Sequence, residues 1–178
     1  MNNRVIKKIL VPTDFSKLSM SALEYVKILL ELQEPKIYLL HVLDKNTIRK
    51  KGKGKKQADK NIAALEKLAM RHLSSIAGQY FTHTNVVTMV LRKGDPYREI
   101  VKLAQEENID LIIISTHGRT GIAHVLMGSV AEKVVRYSPI PVLSVKPQKI
   151  KMKLMEESDI DEQLHLKPAA NRRKENNV

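Results

Sequence analysis

Leu111-Ile112-Ile113-Ile114-Ser115-Thr116-His117-Gly118-Arg119-Thr120-Gly121-Ile122-Ala123-His124-Val125-Leu126-Met127-Gly128-Ser129-Val130-Ala131 is the stretch that decides how the chain folds. Its first four residues are apolar without interruption and too few for a helix, so they read as a strand buried on both faces. Val130, Ala131, Val134 and Val135 then recur at helical spacing. The residues between, with Gly118, Gly121 and Gly128, read as a loop that carries the chain from strand to helix. A doubly buried strand followed by a helix is the repeating unit of a parallel sheet flanked by helices.

The same unit recurs on either side. Ile9-Leu10-Val11 is a strand closed by Pro12-Thr13-Asp14, and Leu18, Ala22, Tyr25, Val26, Leu29 and Leu32 follow as an amphipathic helix. Ile37 to Val42 is a second strand, residues 45–56 a polar loop, and Ile62, Leu65, Leu68, Ala69, Leu73 and Ile76 a second helix stopped near Gly78. Val86 to Leu91 is a third strand. Asp95-Pro96 then starts a helix, with Asp at the N-cap and Pro at the first helical position, continued by Tyr97, Ile100, Val101 and Ala104. Val142 to Val145 is the fifth strand. The expectation is an open α/β fold with a five-stranded parallel sheet. Ligands bind such sheets outside the carboxyl ends of the strands, where the strand order reverses. The segments to search are therefore 12–16, 42–56, 92–95 and 115–129.

The chain has 178 residues, a length that suits one domain of residues 1–147 followed by a tail, 148–178. That tail is polar and of mixed charge, with no single apolar stripe, and reads as mostly disordered. There is no Cys, hence no disulfide scaffold and no Cys-ligated metal. The six His show no H-E-x-x-H or similar metal spacing, and no G-x-S-x-G elbow is present. The apolar runs are far below the ~18 residues of a membrane span, and Ile9 to Val11 is too short for a signal-peptide core, so the chain reads as cytoplasmic. The net charge of +12 is concentrated: residues 45–60 hold eight Lys or Arg and one Asp. Those residues read either as a solvated mobile loop or as a cationic lid, since they leave the same rim as the predicted ligand site. With charge but no base-reading element or stacking platform, they give only a weak nucleic-acid reading.

Gly118, Gly121, Gly128 and Ser129 support two readings. Free N–H groups and the helix dipole at Gly128-Ser129 favour an anion such as phosphate. Alternatively, Ser129 and Glu132 form an S-x-x-E capping box and the glycines serve only the loop. Walker A and G-x-G-x-x-G patterns are both absent. Asp14 and Ser16 likewise read either as helix caps or, for Asp14, as a crevice-facing ligand group. His117 and Arg119 are each either phosphate partners or loop residues.

Gly118, nine residues, then Gly128-Ser129 resembles the nucleotide loop of the universal stress protein family, whose pattern is G-x2-G-x9-G-[S/T]; Ser115 replaces the first Gly. Ile9 to Ser16, His41-Val42, Gly94-Asp95-Pro96, Gly128 to Val134 and Pro141-Val142-Leu143 resemble that family's blocks in the same order, over roughly residues 5–147. The resemblance implies a Rossmann-like fold of the adenine nucleotide alpha hydrolase type and the ATP-binding branch of the family. By analogy Pro12, Thr13 and Asp14 line the adenine and ribose, and the backbone of Val42 meets the adenine edge. Ser115, Thr116, His117, Gly118, Arg119 and Gly121 would wrap the phosphates, with Gly128, Ser129, Val130 and Ala131 closing the site. The ligand would be ATP, with or without Mg²⁺. Homodimerisation would run through Val142 to Val145, an apolar edge strand that a partner removes from solvent. No Walker-type Mg²⁺ site or general base is evident, so the chain reads as a sensor or switch in stress response. A regulatory module of the same fold that binds no nucleotide is the alternative. At Ser115, a strand-end position with negative φ would accept Ser, whereas one needing positive φ would not.

Overall fold

Among the described residues, five parallel strands and four helices alternate: β1 (Lys8–Pro12), α1 (Ser21–Leu32), β2 (Lys36–Asp44), α2 (Lys55–Tyr80), β3 (Val87–Gly94), α3 (Pro96–Glu106), β4 (Leu111–Ser115), α4 (Ser129–Tyr137) and β5 (Val142–Val145). The computed structural model describes residues 5–32, 34–44, 55–81, 87–116 and 127–147, without the side chains of 55–60. All belong to the first of the two units into which the chain divides, Met1–Gln148. The expectations for the tail, for residues 45–54 and for His117, Gly118, Arg119 and Gly121 lie outside the described residues.

The sheet order is β3-β2-β1-β4-β5, every pair parallel. The chain first winds from β1 outward to β3, then returns across the sheet to β4 and β5. The order therefore reverses between β1 and β4. Strand alternation explains the two cores. Ile9, Val11, Ile37, Leu39 and Ile113 face one side and pack on Ala22, Leu23 and Val26 of α1 and Leu73 and Ile76 of α2. Leu10, Tyr38, Leu40, Ile112 and Ile114 face the other and pack on Ile100, Leu103 and Ala104 of α3 and Ala131 and Val134 of α4. Each fully buried Leu or Ile contributes about 1.5–3 kcal/mol of transfer free energy.

Several local expectations change. In α1 the inner face is Ala22, Leu23 and Val26, while Tyr25 and Leu32 are exposed. At about 100° per residue those two sit roughly a third of a turn from the buried stripe. Lys55 and Lys56, expected in the polar loop 45–56, already belong to α2, which runs past Gly78 to Tyr80. Asp95 does occupy the N-cap of α3 with Pro96 in its first turn, but its side chain makes no capping bond; its carboxylate lies 3.9 Å from Arg98 Nε. The capping box at Ser129 and Glu132 does not form. Gly128 is the N-cap, with no side chain to cap α4, and Ser129 is the first helical residue. Glu132 Oε1 instead accepts from Arg136 Nη2 at 2.8 Å, one turn on.

Candidate functional site

The segment after β1 folds by closing its own polar groups. Thr13 N donates to Leu40 O at 2.8 Å, which extends the β1–β2 ladder by one residue. Beyond it the side chains take over. Phe15 N donates to Thr13 Oγ1 at 3.0 Å, and Ser16 N to Asp14 Oδ1 at 3.0 Å. Ser19 Oγ donates to Ser16 O at 2.8 Å. A hydroxyl has one proton, so in the 2.9 Å contact between Thr13 Oγ1 and Ser19 Oγ it is Thr13 that donates. Asp14 and Ser16 thus cap the turn before α1, not α1 itself, which starts at Ser21. His41 Nδ1 lies 2.8 Å from Thr13 O, a carbonyl that can only accept, so Nδ1 carries the proton.

Phe15 takes φ +66°, a left-handed conformation uncommon for a bulky side chain. It costs about 1–2 kcal/mol, and here the hydrogen bonds of the turn hold it. The consequence is geometric: the ring is laid on His41, centroids 4.0 Å apart, and meets the edge of His72 at 5.0 Å.

At the end of β4, Ser115 is buried and has no positive φ, so a serine fits there without backbone strain. Its hydroxyl shares a 3.3 Å hydrogen bond with that of Ser21, the first residue of α1. Thr116 N donates to Val145 O at 2.8 Å, and Thr116 O accepts from Gly128 N at 2.6 Å. That last bond docks the start of α4 against the end of β4. It also explains the glycine: a Cβ at 128 would stand 3.2 Å from the Thr116 carbonyl oxygen. The N-terminus of α4, with its leading N–H groups and partial positive charge, consequently forms one wall at the switch point.

These elements enclose a cleft of about 720 Å³ over the carboxyl rim of the sheet. It brings together ten of the residues expected from the sequence: Pro12, Thr13, Asp14, Val42, Ser115, Thr116, Gly128, Ser129, Val130 and Ala131. It also uses residues to which the sequence reading gave no ligand role: Phe15, Ser19 and His41 around the turn, Leu65, Leu68, Ala69 and His72 on α2, and Pro96 and Ile100 on α3. The available signal was the strand period. Residues 40 to 43 alternate between the two faces of β2, so a cleft over its end draws on both helical layers. Among the described residues no cluster of three or more His, Asp or Glu could hold a metal ion, and no helix is long and apolar enough to cross a membrane.

A doubly wound parallel sheet with its cleft at the switch point is the architecture of a ligand-binding α/β protein. The chain belongs to the universal stress protein family, whose sequence profile matches residues 6–146. A universal stress protein of Methanocaldococcus jannaschii is 35% identical over 153 residues, covering 79% of this chain and 94% of its own length. The structure solved for it superposes with a TM-score of 0.72, over 79% of this chain and 96% of that one. Two more distant universal stress proteins share the fold. One, solved in complex with cAMP, is 22% identical with a TM-score of 0.54, covering 80% of this chain and 98% of its own. The other, from Archaeoglobus fulgidus in complex with dAMP, is 20% identical with a TM-score of 0.52 and the same coverage.

Proposed function

We infer that this chain is a cytoplasmic adenine-nucleotide-binding protein of the stress response, with ATP as its ligand, and that it works as a sensor or switch. The observation that carries this is the cleft at the switch point, walled by the ends of β1 and β4 and by the N-terminus of α4. In it Pro12, Thr13 and Asp14 would take the adenine and ribose, with the Val42 backbone at the adenine edge. Ser115, Thr116, Ser129 and Val130 would face the phosphates together with the loop that follows β4. Adenine nucleotides are also what the two family structures described above hold. Ser115 fits its backbone position without strain, which favours a working site over the alternative of a module that has lost its ligand.

The chain would act as a homodimer through β5. That strand forms one edge of the sheet and leaves Leu143 38% exposed, an arrangement that pairing with a second copy would bury. The basic residues 45–60 would serve as a cationic lid over a bound polyphosphate, and the tail 148–178 would be a separate polar appendage. Mg²⁺ would arrive with the nucleotide, if at all. The reading is tested by purifying the protein natively and identifying any ligand that leaves it on denaturation. Stoichiometric ATP or ADP is the expected result. Protein that is empty at isolation and stays empty in millimolar ATP would favour the nucleotide-free module.

A further inference from the structure

The cleft continues past the residues that a nucleotide would use. Leu40 and Val42 face the layer of α3 and α4, where Val130 also packs. His41, between them in sequence, points to the opposite face of β2, the side of α1 and α2. Val42, Gly128, Ser129 and Val130 belong to the first half of the cleft. The second half is built by Phe15 and His41 with one stripe of α2, Leu65, Leu68, Ala69 and His72. Spacings of three and four residues put that stripe on a single helix face.

This second half has the wrong chemistry for phosphate or ribose. None of its six residues is a carboxylate, a lysine or an arginine. Phe15 and the two imidazoles form a connected set of rings, and Leu65, Leu68 and Ala69 add an aliphatic wall beside it. Leu68 keeps 42% of its surface exposed, although the helical pattern marks it as a core position. A concavity of rings and aliphatic side chains with one or two polar edges is what an apolar or aromatic ligand requires. The backbone agrees. The left-handed turn at Phe15 is what directs its ring to His41 and His72, and such outliers collect where a ligand is clamped.

The geometry points to a second ligand compartment on the α2 side of the cleft, which takes an uncharged aromatic or apolar ring while the α3/α4 side holds a nucleotide. The compartment does not depend on the nucleotide reading, because Phe15, His41, Leu65, Leu68, Ala69 and His72 are side chains to which that reading gives no role. Indole serves as the probe, with the full chain labelled at Leu methyl and His ring carbons. Millimolar indole is expected to shift the signals of Leu65, Leu68 and His72, and to go on doing so when ATP is saturating. Leu68→Gln, a substitution at an exposed position, and His72→Gln are each expected to weaken indole binding about tenfold and to leave the ATP titration unchanged. Absence of these shifts in the wild-type protein, their loss on adding ATP, or indole binding indifferent to both substitutions would overturn the proposal. Failure of the nucleotide reading is seen separately, as a flat ATP titration with the indole shifts intact.

Discussion

At Asp14 one carboxylate oxygen accepts the N–H of Ser16 and closes the turn after β1. Asn preserves that acceptor and removes the charge, so Asp14→Asn separates the turn from ligand recognition. The expected outcome is an unchanged melting temperature, ATP affinity lower by about tenfold, and a smaller preference for ATP over 2′-deoxy-ATP, read by calorimetric titration. Ser115 invites the opposite experiment. Its backbone is not in the glycine region, so restoring the family's glycine relieves nothing. Ser115→Gly should change ATP affinity by less than about threefold. A large gain in affinity would mean that the serine obstructs the site. The role of Phe15 was not legible in Asp14-Phe15-Ser16 as sequence. A left-handed phenylalanine follows from hydrogen bonds of Thr13, Asp14 and Ser19 that exist only once the turn has closed.

Among the elements, the strands were the most legible. Runs such as Leu111 to Ile114 admit one interpretation because no helix of that length buries both faces. Helix faces were less so. Tyr25 and Leu32 share the three- and four-residue spacing of Ala22 and Val26, and only packing on Ile9, Ile37 and Ile113 decides which set turns inward. The capping box at Ser129 and Glu132 failed for a tertiary reason. The bond from Gly128 N to Thr116 O fixes the helix start one residue earlier than the pattern implies. The contact between α1 and α2 carries its own pH dependence. Burial, and next the charge and hydrogen bond of Glu24, hold the Tyr80 phenol above its usual pKa of 10.0. The folded state therefore keeps that proton longer than the unfolded chain does. The stability associated with it is fully present below pH 10 and is lost as pH rises through the higher folded value. Tyr80→Phe should flatten the fall in urea midpoint between pH 9.5 and 11. An equally steep fall in the variant would exclude Tyr80 as its source.

For the molecule as a whole, the switch point between β1 and β4 is the feature that sets where the cleft lies. The cleft was legible as a location, because alternating strands and helices place it at the carboxyl rim. Its α2 wall was not, since no local pattern tells which flank of a long helix overhangs the rim. The proposed homodimer belongs to this scale too. Leu143→Lys puts a charge on the β5 edge and should convert the dimer to monomer by light scattering while the sheet stays folded. An unchanged mass would locate any association elsewhere. The central claim is tested most directly by titrating ATP into the ligand-free protein in a calorimeter. The account predicts saturable binding of one ATP per chain, with a dissociation constant below about 1 mM, and no comparable heat from inorganic triphosphate alone. A flat ATP isotherm, or equal binding of triphosphate and ATP, would contradict it.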